Sequence, residues 1–417
     1  MALVPVAAYE LDVAWDRASA GGWFTLDVSE LDGTDVLAAS EIVVPSFSGA
    51  YDRLDHDGAI YRTRVERFSF SRGRTRTLAS VEGGKATVEV VDPAGLYNPD
   101  NPASPLFGQT RDPGRPIRIR ARWNATVWPL FYGFVNSIDY RPAGRRSTAV
   151  LECDDLFVKL QEPPIIGTMT TTTTGAVIGE ILDEIGWSDP VYRDLDLGDA
   201  IASFAEATGE TAALALIEAL LAVEFGLFYV NGAAVAVFED RHARSTKSVA
   251  YTLTDVIPAV GPGSSLDRIA NRATFTKTGS TAQTYTDTAS ADPETGYGLR
   301  DAGTVESPYL ADDAAAADRA RYVVGRRKDP SGPLWALGVE GRTDALLQAV
   351  LDLEISDRVA VSEAQTGTDF DGYIERLEHS VDRRRRVHRA NYVLSERGAA
   401  EFVLDVSELD GTDVLAL

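Results

Sequence analysis

Of the residue types that carry enzyme or metal chemistry, this sequence holds one cysteine, Cys153, and four histidines, His56, His242, His379 and His388. A lone cysteine forms no intrachain disulfide and excludes a cysteine-based metal site, and the histidines are scattered without the spacing of metal ligands. There is no His-Glu-x-x-His zinc helix, no Gly-x-Ser-x-Gly nucleophile elbow and no cysteine beside a partner histidine. The 63 acidic residues could supply a carboxylate pair for glycan hydrolysis, but pairs drawn from so many carry no information without geometry. Residues 170–174 lack the glycines and lysine of a phosphate-gripping loop. Asp32, Asp35, Asp410 and Asp413 are calcium-type ligands outside the ligand spacing of a calcium loop. The chemistry-bearing residues therefore point to no catalytic site, metal or cofactor.

Charge narrows the partners. A formal charge of −23 over 417 residues repels a nucleic-acid duplex from the surface as a whole. Positive charge is local, at residues 62–76, 111–122 and 383–389, and each group lies beside a strand pattern, as on a solvated face or a subunit contact. No run approaches the ~20 apolar residues of a membrane span. Residues 1–10 lack the basic start of a signal peptide and meet Asp12 at once, so synthesis in a cytoplasm is expected. Cys153 alternates with Ala149 and Leu151 and reads as a buried structural thiol. Trp15, Trp23 and Trp187 could stack on sugars if exposed, although burial is the commoner fate of a tryptophan.

The elements are mostly strands. Ile117, Ile119, Ala121 and Trp123 alternate with Arg118, Arg120 and Arg122, the period of a strand with one apolar and one wet face. This strand and the run Phe131-Tyr132-Gly133-Phe134-Val135 are echoed by Arg358-Val359-Ala360-Val361 and Phe370-Asp371-Gly372-Tyr373-Ile374. With Gly133 laid on Gly372, an aromatic residue before and after each glycine (Phe131 and Phe134, Phe370 and Tyr373), the β-branched residue following and the apolar residue three further on coincide. A glycine inside a strand marks a bulge or bend, so both regions are expected to curl. Residues 67–73 and 272–277 match upstream of the two copies, in the same order.

A second repeat is nearly identical. Residues 24–38 recur at 402–416, differing only at Thr25 and Val403, with Phe24, Leu26 and Val28 matched by Phe402, Leu404 and Val406. Two equivalent grooves each receiving one strand, or a duplication that the fold tolerates, account for it equally. Between the copies, residues 93–108 form a proline-rich loop unsuited to a sheet interior. Its apolar residues Leu96, Tyr97, Leu106 and Phe107 are candidates for subunit or tube contacts. Further on, Thr174 is placed to cap a helix over 175–185, a second helix spans 210–223, and Asn231-Gly232 favours a type I′ hairpin. A third helix is expected over 309–325, docked by Ala320, Val323 and Val324.

The succession Gly84-Lys85-Ala86-Thr87-Val88, Gly95-Leu96-Tyr97-Asn98-Pro99, Ser104-Pro105-Leu106-Phe107-Gly108, Pro113-Gly114-Arg115-Pro116-Ile117 and Pro129-Leu130-Phe131-Tyr132-Gly133-Phe134 resembles minor tail proteins of long-tailed actinobacterial phages. More broadly it resembles tail-tip or baseplate hub proteins, whose fold is shared with the trimeric hub of contractile tails. The resemblance is strongest over 60–160 and continues in order to about 396, through structural loops and strands without a catalytic signature.

It implies a mainly β fold with an α+β insert: two related tube-like β-barrel domains, at 1–160 and 257–417, and a small α+β domain at 161–256. It further implies a non-enzymatic virion protein of the tail tip, a homotrimer carrying six barrels that adapts a sixfold tube to threefold symmetry and passes DNA and tape-measure protein during genome ejection. The implied partners are the distal tail or tail tube protein, the tape-measure protein and other tail-tip or receptor-binding proteins, with DNA only in transit and no stable membrane insertion. A hexameric distal tail ring and a receptor- or carbohydrate-binding minor tail protein are the alternatives.

Overall fold

Alternating apolar residues give the chain its main element, one continuous curled sheet. The computed structural model describes residues 7–13, 52–54, 56–57, 62–74, 82–98, 100–103, 114–205, 207–254, 257–260, 269–329, 335–363 and 368–397. The amino-terminal part contributes strands β1 (Ala8–Val13), β2 (Asp52–Arg53), β3 (His56–Asp57), β4 (Arg62–Gly73), β5 (Glu82–Val91), β6 (Arg115–Trp123), β7 (Thr126–Arg141) and β8 (Thr148–Asp155). In β5, Ala86, Val88 and Val90 are buried while Lys85, Thr87 and Glu89 face outward, so one face joins the core and the other meets water. On β6, Ile117, Ile119 and Ala121 are buried in the same way. The arginines between them pair with the acids of β1: Arg118 lies 2.9 Å from Asp12, Arg120 2.8 Å from Glu10, and Arg122 3.3 Å from Glu10. Arg118, Arg120 and Arg122 of the 111–122 group thus face the chain's own carboxylates, a cross-strand charge ladder.

The middle of the chain is α+β. It comprises β9 (Ile165–Ile166), β10 (Met169–Thr173), α1 (Thr174–Glu184), β11 (Arg193–Leu195), β12 (Ala200–Phe204), β13 (Ala207–Thr208), α2 (Ala213–Glu224), β14 (Leu227–Val230), β15 (Ala236–Glu239) and β16 (Val249–Leu253). Thr173, one residue before the expected cap, accepts a hydrogen bond from the Ala176 amide and starts α1, while Thr174 turns inward and donates to Glu224 at 3.0 Å. Helix α2 buries Ala213, Ile217, Leu220 and Val223 and ends at Phe225, in the left-handed conformation at φ 60°, which releases the helical ladder.

The hairpin β14–β15 forms, but not through a type I′ turn. Val230 pairs with Ala236, leaving five residues between the strands. The Asn231 side chain accepts from the amides of Ala233 and Val235, and Ala234 takes the positive φ of 68°. A side-chain-capped turn of this length replaces the two-residue turn.

The carboxyl-terminal part contains β17 (Ile257–Val260), β18 (Arg272–Lys277), β19 (Gln283–Thr286), β20 (Asp301–Ser307), α3 (Asp313–Arg327), β21 (Trp335–Glu340), α4 (Asp344–Asp352), β22 (Arg358–Glu363), β23 (Thr368–Asp382) and β24 (Val387–Glu396). Strands β18, β19 and β20 form a separate small sheet covered by α3, whose Ala320, Val323 and Val324 are buried as expected. That helix starts at Asp313, capped by Asp312, four residues later than the sequence pattern placed it.

The large sheet runs in the order β17-β21-β24-β23-β4-β5-β8-β7-β6-β1-β2, with β22 against β23 and β16 against β22. It contains two related curled modules, ordered β4-β5-β8-β7-β6-β1 and β17-β21-β24-β23-β22-β16, joined through β4 and β23. The fold is mainly β with an α+β insert. Strand β16, which a division at 257 assigns to the middle region, lies in the second module beside β22. One apolar cluster extends from Leu11 through Val177 and Phe228 to Leu394, so all three parts share a core. Among the described residues no helix is long and apolar enough to cross a membrane.

Candidate assembly interface

Around the bend the two modules repeat residue by residue, while at their outer strands β1 runs antiparallel to β6 and β16 parallel to β22. Gly133 of β7 stands between Ile117 of β6 and Asp155 of β8, and Gly372 of β23 stands between Val359 of β22 and Glu396 of β24. A bulge follows at the same step, between Val135 and Ser137 in the first module and between Ile374 and Arg376 in the second. The amide of Gly114 donates to the Val135 carbonyl and that of Ser356 to the Ile374 carbonyl, each at 2.7 Å. A Cβ on Gly133 would meet the Asp154 carbonyl oxygen at 2.1 Å, and one on Gly372 would meet that of Ser395 at 2.1 Å. The ring two residues earlier, Phe131 or Phe370, covers the glycine in each case. Both glycines are therefore imposed by a close backbone approach at the bend.

The upstream match between residues 67–73 and 272–277 does not carry through. Strand β18 belongs to the satellite sheet, and the counterpart of β4 by position in the large sheet is β17. Similar alternation produced similar residues in two strands whose partners differ.

Strand β4 joins the second module where β22 leaves it. β22 pairs with β23 as far as Tyr373, and β4 continues from Arg376 opposite Gly73 to Asp382 opposite Arg67. Gly73, at φ +110°, leaves only 2.3 Å between a would-be Cβ and the Glu375 carbonyl oxygen. Phe70 stacks on His379 with ring centroids 4.6 Å apart. A buried relay extends from there: His379 Nδ1 lies 2.9 Å from His388 Nε2, and His388 Nδ1 lies 2.9 Å from the Tyr9 hydroxyl. Burial holds His388 down at about 3. Burial, then His388 and Arg72, holds His379 well below its ordinary value, so both imidazoles are neutral. The sequence showed these histidines only as scattered; their positions on the facing strands of one hairpin were the available signal.

Beside this seam a charged knot ties all three parts together. The fully buried Glu375 of β23 receives Arg74 Nε at 2.6 Å, Arg244 Nη1 at 2.5 Å and the Ser395 hydroxyl at 2.6 Å. Burial by itself would raise this carboxyl, but Arg244 and Arg74 more than offset it and hold it well below the carboxylate range. Arg72 forms a bidentate pair with Glu354 at 2.8 and 2.9 Å and donates to the Val230 carbonyl at 3.1 Å. Lys247 lies 2.6 Å from Glu239, which also accepts from Ser356. Buried charges paired in this way fix relative position more than they add stability. Near the seam, Asp155 accepts from the amides of Gly84 and Phe157, yet burial pushes its carboxyl up to about 7.

Of the residues expected at contacts, Leu96 and Tyr97 are buried within the chain, at 6% and 5% exposure. The Tyr97 amide donates to Asp92 at 2.8 Å and its hydroxyl to the Leu54 carbonyl at 3.4 Å. These two residues turn onto their own module, which removes their apolar surface from water. Leu106 and Phe107 lie outside the described residues, as do Phe24, Leu26, Val28, Phe402, Leu404 and Val406. Trp187 is fully buried, its indole donating to the Tyr192 carbonyl at 3.1 Å, so it presents no face to a sugar. Cys153 is buried, and burial raises its thiol. The described residues contain no group of three His, Cys, Asp or Glu side chains that could hold a metal.

Solved phage tail proteins share this fold. The chain matches the tail protein from Neisseria meningitidis MC58 at a TM-score of 0.55 and 14% identity, over 84% of this chain and 94% of that one. It matches the 43 kDa tail protein of prophage MuSo2 from Shewanella oneidensis at a TM-score of 0.52 and 17% identity, over 81% and 97%. No protein-family model and no curated protein sequence matches the chain. At these identities the likeness is one of fold.

Proposed function

We propose that this chain is a structural component of a phage tail, a non-enzymatic hub at the tail tip of a virion. In this reading the regions 1–160 and 257–417 act as two equivalent wall segments and 161–256 as the module bracing them. Three copies present six segments to a sixfold tube, matching it to a threefold tip and leaving a channel for DNA and tape-measure protein during ejection. The distal tail or tube protein sits on one side, and further tail-tip or receptor-binding proteins sit on the other. The observation that carries the reading is the repeat of ladder, bulge and glycine in both modules of one sheet, since a doubled wall segment is what a change from sixfold to threefold symmetry requires. The fold shared with tail proteins supports it.

Mass photometry of the purified protein tests the copy number. Three copies of the 45.0 kDa chain are expected; six copies, or no density for the chain in averaged tail tips, would overturn the hub reading.

A further inference from the structure

We infer that one rim of the large sheet docks an acidic face of another protein through its arginines. The fold gathers there arginines that lie far apart in sequence. Asp382 of β23 stands opposite Val387 of β24 on one side and Arg67 of β4 on the other, and Arg64 of β4 stands opposite Val91 of β5. Val91 in turn stands opposite Thr148 of β8, and Thr148 opposite Arg141 of β7. The turn between β23 and β24 and the turn between β7 and β8 therefore close the same end of the sheet. From β24 to β7 this end crosses six strands, about 24 Å at the ~4.8 Å spacing of neighbouring strands. Arg141, Arg145 and Arg146 at one turn and residues 384–386, all arginine, at the other are exposed, as are Arg64 and Arg67 between them.

The chain's own acids offset part of this charge. Glu66 lies 2.7 Å from Arg64 and 3.4 Å from Arg384, and Asp382 lies 3.8 Å from Arg67 and 3.7 Å from Arg385. Glu89 and Asp139 share a cross-strand row with Arg67, and Asp92 is fully buried, its carboxylate accepting from the Tyr97 amide. Arg141, Arg145, Arg146 and Arg386 form no ion pair among the described residues. Arg386 stands at φ 58°, in the left-handed region that favours glycine, so the tip carries its fourth arginine where turn geometry alone calls for a smaller residue. The opposite ends of β5, β23 and β24 carry the exposed acids Glu82, Asp369 and Glu396, so the sheet is polarised along its strands.

The shape of the charge decides the partner. A nucleic-acid duplex carries one negative charge per ~1.7 Å and runs on past the rim, where the rest of a chain of net charge −23 repels it within the ~8 Å Debye length. A protein face with its carboxylates confined to the contact meets the arginines alone, and guanidinium–carboxylate pairs are strong and directional. Docking of this kind lies beyond the hub role and does not depend on the copy number.

The test compares the full chain with a rim variant, Arg145→Ser with Arg146→Ser and Arg386→Ser, and with a control, Arg321→Ser, which removes an exposed arginine of α3; far-UV circular dichroism confirms folding. The probes are labelled poly-L-glutamate and a labelled DNA duplex, titrated by fluorescence anisotropy at low and at physiological salt. Poly-glutamate is expected to bind wild type and control alike and to outcompete the duplex. It is expected to bind the rim variant about tenfold more weakly, as the loss of several exposed charge contacts gives. No binding of poly-glutamate, or equal binding by the rim variant, would overturn the docking. Tighter binding of the duplex would overturn it as well and make the rim a phosphate site. A second arm uses tail particles containing the chain with Arg145→Lys and Arg386→Lys, which keep the charge and supply amines that a carbodiimide joins to carboxylates in contact. Cross-links to Asp or Glu of another protein are expected in mass spectrometry; none beyond this chain would overturn the docking. The first arm stands whether or not the chain is a tail hub, so the two readings fail separately.

Discussion

Replacing Glu375 by glutamine tests whether the charged knot fixes the two modules against each other. The carboxylate is fully buried and lies 2.6 Å from Arg74 and 2.5 Å from Arg244, whose side chains are 6% and 16% exposed. The substitution keeps the shape and removes the counter-charge these two guanidinium groups share. Removing one partner of a buried pair costs about 3–5 kcal/mol, a large share of the ~5–15 kcal/mol of a typical domain. At roughly 2–4 °C per kcal/mol for a large folding unit, the melting midpoint at pH 7 is expected to fall by about 6–20 °C in scanning calorimetry.

The pH dependence follows from the direction of the shift. The folded-state value is depressed below the ordinary 4.5, so the unfolded chain binds this proton more readily than the folded one. The stabilisation is fully present above about pH 4.5 and is lost as the pH falls toward the folded-state value. The gap between wild type and Glu375→Gln is therefore widest near neutrality and narrows below about pH 4.5. Equal midpoints at pH 7, or a gap of the same size at pH 3.5, would refute the assignment of the knot as the clamp.

Two further substitutions follow from the geometry. Gly372→Val places a Cβ 2.1 Å from the Ser395 carbonyl and 2.5 Å from Phe370; with backbone on one side, the strand itself must shift, and a loss of about 3 kcal/mol or more is expected in denaturant unfolding. Gly133→Val is expected to match it, because the two sites are equivalent, and tolerance at either would show that the bend does not depend on the close approach. Tyr97→Ala is expected to cost about 3–5 kcal/mol of stability, as a buried aromatic does, with no change in oligomer mass for the fraction that stays folded. A change in assembly without a loss of stability would return Tyr97 to the surface role that its loop suggested.

What the sequence by itself determined was local or periodic. Alternation predicted the strands, a glycine with phenylalanine two residues before and an aromatic residue after located the two bends, and the apolar stripe of Ala320, Val323 and Val324 located α3, because each of these is dictated within a few residues by side-chain direction and backbone sterics. The echo of Gly133 in Gly372 held down to the bulge, since a backbone-to-backbone approach admits only glycine wherever it recurs. Tertiary structure alone decided which strand lies beside which: β18 resembles β4 in residue types yet joins another sheet, and β17, with no visible likeness, takes the β4 position. It also turned Leu96 and Tyr97 inward and brought Arg74, Arg244 and Glu375 together from positions up to 301 apart in sequence. Pairing of this kind depends on which edges remain open once the core has closed, a property of the assembled sheet that no single segment encodes.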